Sequence, residues 1–421
     1  MRISTENLGK NRRARNSHIL ISGGTGFLGS HIAARLLDAG FKITILARTS
    51  RETDADERVR RIMDWHGISN NARKRLRVVP WDLLDRDIGM GLDERIRLQA
   101  EADEIIHCAS ETSFAERKRA QVENVNLGGI EKMLDFAAAG RCHSFHYLST
   151  AYVAGRQTGM CPESLSTARE FHNVYEETKC SAEKIVWKRC CEKGIRSVLY
   201  RPSIVYGHSI TGRSLLFNAL YYPVRAAVFL RDIYMRDIYE QGGKRAQAAG
   251  VKISPDGNIL HFPLRVKADG PGIDLIPVDF FTEAFAAIFE TALESGIYHI
   301  VNGGPTPVAA IAEFTARMFR LNGVEVMSAD LYGKPRNLIE ATFNQMIDVY
   351  NPYMSDLRTF STDRSSLILQ RVGLSCPPLS YEMFQRCMNY AVAVGWRAKA
   401  LEDNTLPNSG TPPGNLSRPV P

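Results

Sequence analysis

His18-Ile-Leu-Ile-Ser22 runs without a break into Gly23-Gly-Thr25-Gly26-Phe27-Leu28-Gly29 and then into Ser30-His-Ile-Ala-Ala-Arg-Leu-Leu-Asp-Ala-Gly40. A continuous apolar run reads as a strand buried on both faces, the glycines as a tight turn, and the spacing of Ile32, Leu36 and Leu37 as an amphipathic helix. This order of strand, glycine turn and helix is the opening of a βαβ unit that binds dinucleotides. The first glycine permits the turn, the second lets backbone approach a pyrophosphate, and the third brings helix and strand together, while the helix N-terminus offers free N–H groups to the phosphates. Gly23, Thr25, Gly26, Phe27, Leu28 and Gly29 are therefore candidate cofactor-binding residues.

Working outward, short apolar runs recur at Lys42 to Ala47, Leu76 to Trp81, Glu104 to Ala109, Ser144 to Ser149 and Ser197 to Arg201. Helical patterns such as Phe27 to Ala39 and Asn126 to Ala139 separate them. The alternation predicts an α/β fold, a Rossmann-type doubly wound parallel sheet with crossover helices. After Pro202 the alternation weakens. Strand-like Ile273 to Val278 and Tyr298 to Val301 return to the sheet, and the remainder reads as a smaller, mainly helical substrate lobe. The expected organisation is a basic, disordered 1–16, a Rossmann domain over 17–207 with strands returning at about 273–305, a substrate lobe formed by 208–272 and 306–403, and a disordered tail over 404–421. That tail carries five prolines between Leu406 and Pro421.

The end of the second strand decides between the two nicotinamide cofactors, because an acid there holds a ribose 2′-OH. Here it ends in Leu46-Ala47-Arg48. A guanidinium suits the 2′-phosphate of NADP(H) through paired, charge-assisted hydrogen bonds, and Arg58 on the following helical stretch is a second candidate contact. For both arginines the alternative is an exposed charge with no ligand.

Asn173-Val-Tyr175-Glu-Glu-Thr-Lys179 is helical in pattern, and the four-residue spacing puts Tyr175 and Lys179 on one face. A phenol with a reference pKa of about 10 is a poor proton donor and acceptor at neutral pH, and a neighbouring ammonium lowers that value. Ser149 and Thr150 end a strand at the carboxyl edge of the sheet, where open α/β folds bind ligands; either hydroxyl can donate to a developing oxyanion, or cap a turn. Thr150, Tyr175 and Lys179 are the candidate catalytic group.

In this series the chain resembles the extended short-chain dehydrogenase/reductases. Gly23-x-x-Gly26-x-x-Gly29, Trp81-Asp82-Leu83, Ile106-His-Cys-Ala109, Asn124-Val-Asn126, Tyr175-x-x-x-Lys179 and Arg201-Pro202-Ser203-Ile204-Val-Tyr-Gly207 match in order over about residues 18–305. Leu148-Ser-Thr-Ala-Tyr-Val-Ala-Gly, Tyr175-Glu-Glu-Thr-Lys-Cys-Ser-Ala-Glu and Asp274-Leu-Ile-Pro-Val-Asp279 make it most similar to the fatty acyl-CoA reductase and thioester reductase branch, the male-sterility type. The resemblance implies Thr150, Tyr175 and Lys179 as the catalytic trio and Asp82 near the adenine. It also implies Leu83, Ala109, Lys179, Pro202, Ser203 and Ile204 as further cofactor contacts. The implied reaction is NADPH-dependent reduction of an acyl thioester to an aldehyde, with a second hydride transfer giving the alcohol. A sugar-nucleotide epimerase or dehydratase, or a 3β-hydroxysteroid-type dehydrogenase, is the alternative on the same fold.

No adenylation or carrier domain is recognisable in the chain, so the thioester is expected on a separate acidic carrier protein or on coenzyme A. Ser214 to Gln247 matches no motif; its Tyr221, Tyr222, Val224, Val228, Phe229, Leu230, Ile233 and Tyr234 line an apolar acyl pocket or form lobe core, and a basic amphipathic helix on a membrane surface is a third, less supported reading. The net charge of +7 on 421 residues is spread along the chain and gives no nucleic-acid stripe. Neither an apolar run of about 18 residues nor a signal-peptide pattern is present, so no transmembrane segment is expected. Eight scattered cysteines, with no C-x-x-C and no metal-ligand spacing, predict free thiols, no metal and a cytoplasmic setting.

Overall fold

Every residue of His18–Ser22 is buried, which accounts for its unbroken apolar reading. It is the third strand from one edge of a seven-stranded sheet. In the computed structural model, which describes residues 17–49, 54–85 and 89–396, the strands lie in the order Gly296–Ile300, Arg196–Pro202, Ser144–Leu148, Glu104–His107, His18–Ser22, Lys42–Ala47 and Leu76–Pro80. All neighbours pair in parallel. The chain winds outward from His18–Ser22 to Leu76–Pro80, then restarts on the other side at Glu104–His107. That reversal leaves a crevice at the carboxyl ends of the two central strands.

Two apolar layers cover the sheet. Helices Phe27–Asp38, Ala55–Trp65 and Val278–Thr291 pack one face, and helices Leu92–Glu101, Gly129–Ala138 and Val174–Glu192 pack the other. The doubly wound α/β fold expected from the alternation is what forms, and the strand returning near Tyr298 closes one edge of the sheet.

The lobe is helical but carries a sheet that its sequence did not announce. Leu260–Lys267 pairs in parallel with Leu321–Met327 and antiparallel with Lys252–Ile253. Helices Tyr221–Glu240, Val308–Phe319 and Leu338–Ile347 pack around it. Leu260–Lys267 contains Pro263, and its register shifts between His261 and Leu264, so its alternation is broken where a strand would be recognised.

Two short parallel ladders join lobe and sheet. Ile204–Tyr206 pairs with Leu275–Pro277, and Gly159–Cys161 pairs with Arg358–Phe360. All eight cysteines are unpaired, with Cys190 buried and Cys191 exposed on one helix. The expectations for 1–16 and 404–421 lie outside the described residues.

Candidate active site

The glycine loop fits a dinucleotide by an observation independent of sequence likeness. Gly23 has φ +75°, and a Cβ on it would lie 2.4 Å from the amide nitrogen of Ala109. On Gly29 a Cβ would lie 2.2 Å from the Gly23 carbonyl oxygen. Both glycines are therefore set by close backbone approach and not by turn preference alone. Helix Phe27–Asp38 starts from an extended Gly26 with no side-chain cap and no acid in its first turn. Its first N–H groups and positive dipole end are open to an anion.

Arg48 is exposed just beyond the second strand, and Arg58 is half-buried on helix Ala55–Trp65. The two are close enough for the Arg48 charge to act on Arg58, whose pKa is lowered first by burial and then by that charge. Among the described residues neither makes an ion pair. Arg48 and Arg58 thus bring two positive charges near each other beyond the second strand.

The other cofactor candidates divide. Ala109 faces the glycine loop. The carboxylate of Asp82 accepts from the Leu84 amide at 3.0 Å, shaping the turn after the third strand. The Leu83 side chain packs against Gly129, where an added Cβ would lie 2.2 Å from it. Pro202 ends the strand next to the sheet edge, and the Ser203 hydroxyl is buried with no hydrogen-bond partner among the described residues. Ile204 starts the ladder with Leu275–Pro277 and turns toward the lobe, where it lines an apolar cavity. Its environment is that of lobe wall.

Helix Val174–Glu192 begins in a capping box. Asn173 Oδ1 accepts from the Glu176 amide at 3.0 Å, and Glu176 Oε2 reaches back to the His172 amide at 3.0 Å. This fixes the first turn, which carries Tyr175. Lys179 follows one turn later, 3% exposed. Its ammonium donates to the Leu148 carbonyl at 2.8 Å and lies 4.6 Å from the centre of the Tyr147 ring. Burial lowers the Lys179 pKa to about 8.

Thr150 caps the short turn Ala151–Ala154, accepting from the Tyr152 amide at 3.3 Å. The same hydroxyl faces the Tyr175 phenol and acts to lower its pKa. The turn-capping reading of Thr150 is thus realised, and its hydroxyl points to the Pro202 carbonyl at 3.5 Å. Ser149 is buried with its hydroxyl unpartnered.

One expectation is corrected. The Tyr175 phenol is pushed well up, by burial first and the Glu176 carboxylate second, against the smaller effect of Thr150. The Lys179 ammonium is directed instead to the Leu148 carbonyl and the Tyr147 ring. The phenol therefore keeps its proton at neutral pH, the state of an acid rather than a base.

Several residues at the site were not foreseen as such. Asn126 is buried and bridges the Glu111 carbonyl and the Thr178 hydroxyl, each at 3.0 Å, so the loop after the fourth strand is tied to the Tyr175 helix. It sits in a single π-helical turn, Asn124–Gly128, and Asn124-Val-Asn126 was the signal. Phe114 packs on Tyr175 with ring centres 5.9 Å apart, and on Tyr353 at 5.6 Å. No local pattern marks Tyr353.

This crevice at the sheet reversal, with its glycine loop, strand-end hydroxyl and Tyr-x-x-x-Lys helix, defines an extended short-chain dehydrogenase/reductase that binds a nicotinamide dinucleotide. More narrowly, residues 21–285 match the family model described as male sterility protein, and the chain belongs to that family. It is 30% identical over 238 residues to the L-2-aminoadipate reductase large subunit of Eremothecium gossypii, covering 51% of this chain and 17% of that protein. It is 28% identical over 243 residues to the isonitrile lipopeptide synthase of Streptomyces coeruleorubidus, covering 55% of this chain and 16% of that protein. The chain thus spans a small part of these curated relatives. Among solved structures, the terminal R domain from the myxalamid PKS-NRPS biosynthetic pathway superposes with TM-score 0.71 at 20% identity, covering 93% of this chain and 95% of that one. UDP-glucuronic acid 4-epimerase from Bacillus cereus, in complex with NAD, gives 0.59 at 16% identity, covering 92% and 100%. Among the described residues no helix is long and apolar enough to cross a membrane.

Proposed function

We propose that this chain is an NADPH-dependent reductase of an acyl thioester, presented on a carrier protein or as an acyl-CoA, with the aldehyde as first product. The observation that carries this is the grouping of a protonated Tyr175, Thr150 and Lys179 beside the glycine loop. The names of the relatives, an aminoadipate reductase and a terminal R domain, support the thioester as the group reduced. Residues 17–207 with the returning strands would hold the cofactor. Residues 208–272 and 306–403 would hold the acyl group. Eight unpaired thiols accord with a reducing, cytoplasmic setting.

The pyrophosphate would lie on the glycine loop and the Phe27–Asp38 N-terminus, and the 2′-phosphate against Arg48 and Arg58. When bound, the cofactor supplies a hydride to the thioester carbonyl carbon. Thr150 and Tyr175 donate hydrogen bonds to the carbonyl oxygen, where negative charge develops, and Tyr175 gives up its proton there. Lys179, held by the Leu148 carbonyl, positions the ribose. Expulsion of the thiol then leaves the aldehyde.

The test is purified protein with NADPH and a panel of acyl-CoA and acyl-carrier thioesters. Thiol should be released in step with NADPH loss, and Tyr175→Phe should lower kcat by about 10²- to 10⁴-fold. Full turnover in Tyr175→Phe overturns the role of the phenol. Turnover of nucleotide sugars, with no thioester reduced, overturns the reaction.

A further inference from the structure

Between the two apolar cores of the lobe lies a cavity of about 70 Å³. Val224 and Ala227 of helix Tyr221–Glu240, Ile311 and Ala312 of helix Val308–Phe319, and Leu264 and Phe343 line it. Among the described residues no charged side chain lines it. Two of the three hydroxyls among its lining residues are engaged elsewhere: Thr315 donates to the Ile311 carbonyl at 2.7 Å, and Tyr353 to Glu176 at 2.7 Å. An amine or carboxylate placed there would lose its water and meet no opposite charge. A hydrocarbon would fill space that now leaves the lining atoms without contacts on one side. A dry engineered cavity of about 150 Å³ holds benzene, so this one has room for a short run of methylenes.

Aromatic packing joins the cavity wall to Tyr175. Tyr353 lines it with its ring, and that ring is stacked on Phe114 at 5.6 Å and 29°. Phe114 in turn packs against Tyr175. Tyr350, also on the wall, packs on Phe114 at 6.0 Å. The wall tyrosines and then Phe114 therefore stand between the cavity and Tyr175.

We propose that this cavity receives the distal end of the acyl group and selects a purely aliphatic chain over an aminoacyl or dicarboxylic one, with Ala227 and Ala312 setting its depth. The proposal rests on the thioester reading above. It assigns a ligand class to part of the segment Ser214 to Gln247, whose sequence left pocket and core equally open. Val224 and Ala227 face the cavity, whereas Phe229 and Ile233 lie on the exposed side of the same helix.

Two measurements on the full chain test it. The first is kcat/KM with NADPH and acetyl-, butanoyl-, hexanoyl-, octanoyl- and glutamyl-CoA. It should rise by roughly fourfold per methylene while carbon still enters the cavity, then level off, with the glutamyl thioester far behind. In Ala227→Leu and, from the other helix, Ala312→Leu, the octanoyl to acetyl ratio should fall at least about tenfold, as expected for a few lost methylene contacts. The second is calorimetric titration with octanol, which needs no turnover. The wild type should bind it, and each folded leucine variant should bind it at least about tenfold more weakly. Octanol binding that the leucine variants weaken, with no thioester reduced, would sustain the cavity and overturn the reaction. Thioester reduction indifferent to chain length, a preference for the glutamyl thioester, or octanol binding unchanged in both variants would overturn the cavity as an acyl site and leave the reaction standing.

Discussion

The Tyr353 hydroxyl donates to Glu176 Oε1 across 2.7 Å, a bond spanning 177 residues of chain that ties the lobe to the residue following Tyr175. It also accepts from Asn173 Nδ2 at 2.8 Å, so one phenol holds both the cap and the first-turn carboxylate of the helix. Arg358 adds its charge 3.7 Å from the same carboxylate. The position of Tyr175 is thereby set by side chains that arrive from the far end of the sequence.

Tyr353→Phe keeps the ring against Phe114 and removes only this donor. A buried carboxylate and an amide each lose a partner, so stability should fall by about 1–3 kcal/mol. The value of kcat should fall as well, because the turn carrying Tyr175 is loosened. Denaturant unfolding with steady-state kinetics checks both, and a variant with wild-type stability would show that the bond does not fix the turn.

Lys179 is held near a pKa of about 8 by burial, below its ordinary value. The ammonium is present below that pH and lost as pH rises through it. If the charged form is the working one, kcat/KM should decline above about pH 8. Lys179→Met should remove that limb of the profile and cost about 10²-fold or more. An unchanged alkaline limb in the variant would assign the titration to another group.

Arg48→Ser should lower the NADPH to NADH ratio of kcat/KM by about tenfold or more, since a charge-assisted hydrogen bond to a phosphate contributes roughly 1.5–3 kcal/mol. Arg58→Ser should act in the same direction. Arg48 is exposed, so its loss leaves folding intact, and an unaltered ratio in both variants would remove the arginines from cofactor choice.

Gly29→Ala places a methyl 2.2 Å from the Gly23 carbonyl, which the loop can admit only by moving. NADPH affinity measured by fluorescence titration should fall, with a stability loss of about 1–3 kcal/mol from overpacking. Wild-type affinity would mean that the loop's close packing is not what shapes the cofactor seat.

His299 is buried and its pKa is lowered to about 4, by burial first and the Arg201 charge second. The unfolded chain takes up its proton near pH 6.5, where the folded chain does not. Its contribution to stability is therefore full above that pH and is lost as pH falls toward 4, at up to about 1.4 kcal/mol per pH unit. His31, lowered to about 4 by burial, acts in the same direction. Unfolding of His299→Gln followed across this window should show a shallower decline than the wild type, and equal slopes would refute the assignment.

The sheet, the glycine loop and the spacing of Tyr175 and Lys179 were legible in the sequence because each is local. A buried parallel strand must be apolar along its length, a tight turn against backbone requires glycine, and a helix sets residues four apart on one face. The upward shift of the Tyr175 pKa was not legible, because it follows from burial and the Glu176 carboxylate rather than from the spacing to Lys179. The lobe's sheet was hidden by the register shift in Leu260–Lys267. The face that Tyr221–Glu240 turns to the cavity was hidden as well, since its apolar residues go both inward and outward. The sequence by itself determined the dinucleotide fold and the chemical groups at its edge. Only the tertiary structure decided which side chains surround Tyr175, because Phe114 and Tyr353 are brought to it from positions whose contacts leave no periodic trace along the chain.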